Sequence, residues 1–106
     1  MNLKKVVSIN NVIIRLTSER WKHIIDHHPE MEYLQDEILH TVRNPDMVYE
    51  GERGEYLAVR KVGKGKFIVV VYREETSQND GFIITAFITK RKGTFRGKTL
   101  IWERKI

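Results

Sequence analysis

Residues 55–73 read EYLAVRKVGKGKFIVVVYR, two runs rich in β-branched and aromatic residues joined by Gly63-Lys64-Gly65. Such residues favour extended backbone, and a glycine-built turn between two such runs signals a hairpin. Strands are therefore expected at Glu55–Lys61 and Lys66–Arg73. On one side, the Gly51-Glu52-Arg53-Gly54 turn leads back to a short strand, Met47–Glu50. On the other, a polar loop from Glu74 to Asp80 passes through Gly81 into a strand over Phe82–Lys90. The result is an antiparallel meander of roughly four strands. Arg91 to Lys98 is polar and basic and reads as a mobile loop, after which Thr99–Arg104 can add a last strand.

Upstream the period changes. Val12 to Leu16 is a short apolar run that reads as a first strand. Thr17 or Ser18 then offers an N-cap, with Glu19 in the first turn. Trp21, Ile24, Ile25 and His28 recur at the spacing of a core-facing helical stripe, and Pro29 disfavours helical geometry at His28. The first helix is thus expected over Glu19–His27 and a second over Met31–Arg43, with Met31, Leu34, Ile38 and Val42 on one face and Asn44-Pro45-Asp46 as its stop. The fold class is α+β: two N-terminal helices packed on one face of a roughly four-stranded antiparallel sheet, in a single domain over 1–106. The other sheet face is left free to form a cleft. Strand alternation assigns Leu57 and Val59 to the core, and Tyr56, Ala58 and Arg60 to that open face. In the last meander strand Phe82, Ile84, Ala86 and Ile88 form an all-apolar set, leaving Thr85 and Thr89 on the more polar side. Lys66–Arg73 is apolar on both faces apart from Tyr72, so its phase stays open.

Composition narrows the chemistry. The 106 residues include no cysteine, which excludes disulfides and thiolate metal sites and fits a cytoplasmic setting. Apolar runs such as Val6-Val7 and Val12-Ile13-Ile14 are too short for a signal sequence or a membrane span. The net charge of +5 is unevenly spread. Residues 1–50 hold six Lys/Arg against eight Asp/Glu, and residues 51–106 hold thirteen against six. A basic block of that kind attracts phosphate backbones, and a solvated surface would show the same excess.

Three of the four histidines fall within His23–His28. His23 and His27 stand four apart, the spacing at which two helical imidazoles can share a metal, but the helical zinc-protease pattern needs a glutamate where Ile24 stands. Only Asp26 or Glu30 offers a third ligand, so the expectation is that there is no metal and no cofactor. The remaining alternatives are acid–base use and plain surface histidines. His28 falls on the core-facing stripe, His23 and His27 nearer the opposite side, and His40 on the outer face of the second helix. Cutting RNA without a metal needs a base for the 2′-hydroxyl, an acid for the departing 5′ oxygen, and a cation or hydroxyl for the phosphorane. His, Tyr, Arg, Lys and Thr supply all three.

The run LTSERWKHIIDHHPEM at residues 16–31, the Tyr- and Arg-bearing GERGEYLAVRKVGKGKFIVVVY and the later DGFIITAFITKRK together resemble nuclease domains of the barnase–EndoU–colicin–RelE-like superfamily, of phage and bacterial toxin type. The likeness covers about residues 15–92. It implies a metal-independent endoribonuclease in which His23 and His28 share the acid–base work, Arg60 stabilises the transition state, and Thr85 and Tyr56 assist. Tyr72, Lys90 and Arg91 would grip the RNA, whether tRNA or mRNA. An acidic antitoxin or immunity protein is the implied protein partner. His27 departs from the family's usual Arg or Lys. A non-catalytic RNA-binding domain and a protein-interaction module are the alternatives.

Overall fold

The computed structural model describes residues 2–105. Strands β1 (Asn2–Val7) and β2 (Ile13–Thr17) precede helix α1 (Ser18–His27), a 3-10 turn at Pro29–Met31 and helix α2 (Gln35–Arg43). Strands β3 (Met47–Glu50), β4 (Tyr56–Gly63), β5 (Lys66–Glu75), β6 (Asp80–Thr89) and β7 (Thr99–Glu103) follow, with 3-10 turns at Thr76–Gln78 and Lys92–Phe95. The architecture is α+β, but the expected sheet of about four antiparallel strands is a seven-stranded mixed sheet in the order β1-β2-β6-β5-β4-β3-β7. The meander β3–β6 is its centre. The β1–β2 hairpin joins one side through a parallel β2–β6 pairing, and β7 extends the other. The helices therefore lie between strands instead of leading the chain. Periodicity missed β1 because its only obvious apolar pair is Val6-Val7, too short to stand out beside Lys4 and Lys5.

Local signals explain both helices. The Thr17 hydroxyl accepts the Arg20 N–H at 3.1 Å, which caps α1, and Pro29 ends it. The second helix starts later than expected. Pro29 opens a separate 3-10 turn in which Met31 is fully buried, and α2 begins only at Gln35. Met31, Leu34, Ile38 and Val42 keep a helical spacing across the break, so the pattern concealed it.

Both helices pack on one face, the inner face. Ile24, Met31, Ile38 and Val42 meet Ile14, Leu16, Ala58, Ile68, Val70, Tyr72, Ile83 and Ala86 there. The outer face carries a second core of Leu57, Val59, Phe67 and Val69, with Met47, Tyr49, Val71, Phe87 and Phe95 packed against it. The expected phase of β4 is thus reversed: Tyr56, Ala58 and Arg60 face the helices, while Leu57 and Val59 face outward. Alternation alone could not choose, because both faces of the sheet bury apolar side chains.

β6 adds a further irregularity. Val71 pairs with Thr85 but Tyr72 pairs with Ile83, which leaves Ile84 as one extra residue, a β-bulge. The bulge switches the phase, so Ile83 and Ala86 both point inward and Thr85 and Phe87 outward. The expected all-apolar set of Phe82, Ile84, Ala86 and Ile88 therefore does not share one face. The sheet also curls around α2. Ile9, just beyond β1, and Trp102 of β7 line one cavity with His40, Arg43 and Pro45 at the end of α2.

The parallel β2–β6 pairing depends on a close approach at Gly81. A Cβ there would overlap the Arg73 carbonyl oxygen and come within 2.8 Å of Ile14 Cδ1. Gly81→Ala is expected to destabilise the fold by roughly 2–3 kcal/mol through overpacking. Urea denaturation of the variant, compared with Gly65→Ala at an open turn whose cost is only its positive φ, measures the difference.

Candidate nucleic-acid interface

The helix end and the outer face meet at one edge of β6. β2 pairs with β6 only over Asp80–Phe82, and α1 and the Pro29 turn lie against the rest of the strand. His28 is the C-cap of α1, and its N–H donates to the Ile24 carbonyl at 2.7 Å. With φ −134° and ψ 71°, the backbone before Pro29 leaves the helical region, and the His28 ring lies on Phe87 with centroids 5.7 Å apart. The ring is half-buried, with Nδ1 3.7 Å from Glu30 Oε2, a contact that becomes an ion pair when the imidazole is protonated. Thr85 points to the same outer face, across from Val71. Lys90 and Arg91 are exposed where β6 ends, and the Arg91 N–H donates to Thr89 Oγ1 at 3.1 Å. His28, Thr85, Lys90 and Arg91 thus lie along β6 and its end, with Thr85 and the Phe87 ring that meets His28 on the outer side.

Other expected site residues lie elsewhere. His23 is exposed on α1 and packs on His27, with ring centroids 4.3 Å apart, while His27 Nδ1 bonds the His23 carbonyl at 3.0 Å. His23 and His28 therefore engage different surroundings instead of one phosphate. Among the described residues no three His, Asp or Glu side chains converge to hold a metal. Arg60 faces α2: its Nε donates to Thr41 Oγ1 at 3.2 Å and its Nη2 forms an ion pair with Glu37. Thr41 is buried and donates in turn to the Glu37 carbonyl at 2.7 Å, so Arg60 works as a strut between β4 and α2. That engagement puts Arg60 on the side of the sheet away from Thr85 and corrects its expected place on the open face.

Tyr56 also turns inward and lies against Tyr72, with ring centroids 5.6 Å apart. Burial first, then the Glu74 and Glu50 carboxylates, raise its pKa above the ordinary 10.0. Tyr72 is fully buried and offers no surface to an RNA strand, which corrects its expected role as an RNA contact. Its Oη has no hydrogen-bond partner among the described residues.

Sequence reasoning missed the aromatic group of the outer face. The segment expected to be a mobile loop forms the 3-10 turn Lys92–Phe95, whose Phe95 ring stacks on Tyr49 at 4.8 Å and meets Phe67 edge-on at 6.1 Å. Phe95 is the one apolar side chain in the basic run from Arg91 to Lys98, and that isolation was the available signal. Beside this group lies a depression of about 540 Å³ lined by Met47, Tyr49, Lys61, Phe67, Phe95 and Arg96. Charge is mixed near the start of β4, away from Lys61. Arg73 and Lys98 lie close enough to Glu55 to help lower its pKa, after its own and the Arg53 backbone N–H groups, against the opposing effect of burial. Lys61 and Arg96 form no salt bridge among the described residues.

No protein-family model matches the chain, and no curated protein or solved structure matches it. Among the described residues no helix is long and apolar enough to cross a membrane.

The buried Tyr72 hydroxyl gives a pH-dependent test. Burial first, then Glu74 and Tyr56, raise its pKa well above the ordinary 10.0. A raised folded-state pKa leaves stability intact below the unfolded value and removes it as pH climbs, so the loss begins at about pH 10. Tyr72→Phe is expected to weaken that alkaline loss and, by removing an unpartnered polar atom, to add roughly 1 kcal/mol at neutral pH. Denaturant midpoints between pH 7 and 11 check both; a lowered midpoint at neutral pH would mean that the hydroxyl is satisfied.

Proposed function

We propose that the chain is a metal-independent endoribonuclease acting on single-stranded RNA laid across the outer face and the β6 edge. The observation that carries this reading is the contact of His28 with Phe87, which brings a titratable imidazole to the face that also bears Thr85, Lys61 and Arg96. Histidine changes charge near neutral pH and so can exchange a proton with a ribose hydroxyl. His28 takes the proton of the 2′-hydroxyl, whose oxygen attacks the adjacent phosphorus. The bond to the 5′ oxygen breaks, and that oxygen takes its proton from the imidazolium just formed or from water. The products are a 2′,3′-cyclic phosphate and a free 5′-hydroxyl. Thr85 donates a hydrogen bond to a phosphate oxygen, and Lys90 and Arg91 hold neighbouring phosphates. The resemblance of residues 15–92 to toxin-type nucleases agrees with this chemistry, and an acidic antitoxin would complement the basic half of the chain.

A second reading is RNA binding without cleavage. It is favoured by the engagement of Arg60 and the inward turn of Tyr56, which leave His28 and Thr85 without those two groups beside them.

Purified protein and a single-stranded RNA in EDTA separate the two. Cleavage to cyclic-phosphate ends is expected, and His28→Ala should slow it by about 10²–10⁴-fold. His23→Ala should stay within a few-fold of the parent. Arg60→Gln should lower thermal stability, by about 1 kcal/mol, more than it lowers the cleavage rate. An unchanged rate in His28→Ala would remove the catalytic assignment, and salt-dependent binding with no products would establish the second reading.

A further inference from the structure

The outer-face depression lies apart from His28 but joins the same surface. Phe67 pairs with Thr89, and the next outward pair is Val69 with Phe87. The Phe67 wall is therefore one diagonal step, about 7–8 Å, from the ring that contacts His28. From there the depression runs across β4 to Met47 and Tyr49 of β3.

Its chemistry has two parts. Tyr49 and Phe95 are parallel within 2° and Phe67 stands at 89° to Phe95, so flat apolar rings form a wall. Among the described residues Lys61 and Arg96 are its cationic lining residues and no carboxylate lines it; the Asp46 carboxylate beside it accepts the Lys61 backbone N–H at 2.9 Å and pairs with Arg104, and Glu103 stands opposite Met47 on β7. Planar apolar walls flanked by cations suit a neutral planar ring attached to an anionic group. An unpaired nucleotide in an RNA strand has that form, whereas the bases of a duplex are already stacked on one another. A volume of about 540 Å³ accommodates a group of that size.

We propose that this depression is a base-binding subsite: one unpaired RNA base rests against Tyr49, Phe67 and Phe95, while Lys61 and Arg96 hold the flanking phosphates. This rests on the reading of the protein as acting on RNA and adds a site neighbouring, but separate from, the proton-transfer group. The subsite orients the strand, so that the scissile phosphate lies at the β6 edge.

Binding can be measured separately from cleavage by using His28→Ala with a fluorescent single-stranded RNA octamer. In that background Phe95→Leu, which keeps apolar packing but removes the ring, should weaken binding by about tenfold. Lys61→Gln with Arg96→Gln, both changes at the surface, should lower the slope of log K against log salt by about 0.7 for each phosphate that is no longer neutralised. Ring-proton NMR signals of Tyr49, Phe67 and Phe95 should shift with the octamer and not with ribose 5-phosphate. RNA binding that is indifferent to Phe95→Leu, with unmoved ring signals, would overturn the subsite while leaving the RNA reading in place. Absence of RNA binding by the parent protein would overturn both. Ring shifts of equal size with a polyglutamate peptide would assign the depression to a protein partner and overturn the proposal.

Discussion

β5 is buried on both faces and paired on both sides, and the remaining elements are arranged around it. Phe67, Ile68, Val69 and Val70 are four consecutive buried residues whose side chains alternate between two cores. Ile68 and Val70 meet the helices, while Phe67 and Val69 meet the outer aromatic group. A strand with two apolar faces requires cover on both. On the inner side the cover is α1, the Pro29 turn and α2. On the outer side it is little more than the Lys92–Phe95 turn, and the thinness of that cover is what leaves an aromatic depression open to solvent.

The same constraint sorts the polar groups. Inward-facing Arg60 is drawn into a network with Thr41 and Glu37, because a guanidinium beside a core must be paired. Tyr72 faces inward without such a partner among the described residues, and burial and Glu74 favour its neutral form. Outward-facing Lys61 and Arg96 remain open to solvent. The face of the sheet, more than residue type, separates structural cations from those able to bind a ligand.

The meander, both helices and the α+β class were legible because each rests on local signals: the Gly63-Lys64-Gly65 turn, the Thr17 cap and Pro29. The parallel β2–β6 pairing was not, because a contact between Ile13–Arg15 and Asp80–Phe82 leaves no mark in local spacing. The face assignments failed for a different reason. Leu57, Val59 and Val69 look like core residues, and they are, but the core is the second one. Of the candidate site, His28, Thr85, Lys90 and Arg91 lie along β6 and its end. Tyr56, Arg60 and Tyr72 turn away, and Phe95 could have been noticed only by its isolation among charges.

The extra residue at Ile84 reaches further than its own strand. A bulge bends its strand and increases the local twist. The pairing of β6 with β2 ends at Phe82, two residues before it. The β2–β6 register would set Leu16 opposite Ile83 and Thr17 opposite Ile84, but Thr17 already caps α1, so the bulge falls where β2 gives way to the helix. The edge of β6 beyond Phe82 is thus left to α1 and the Pro29 turn, and it is against this bent, unpaired edge that the chain lays His28 on Phe87.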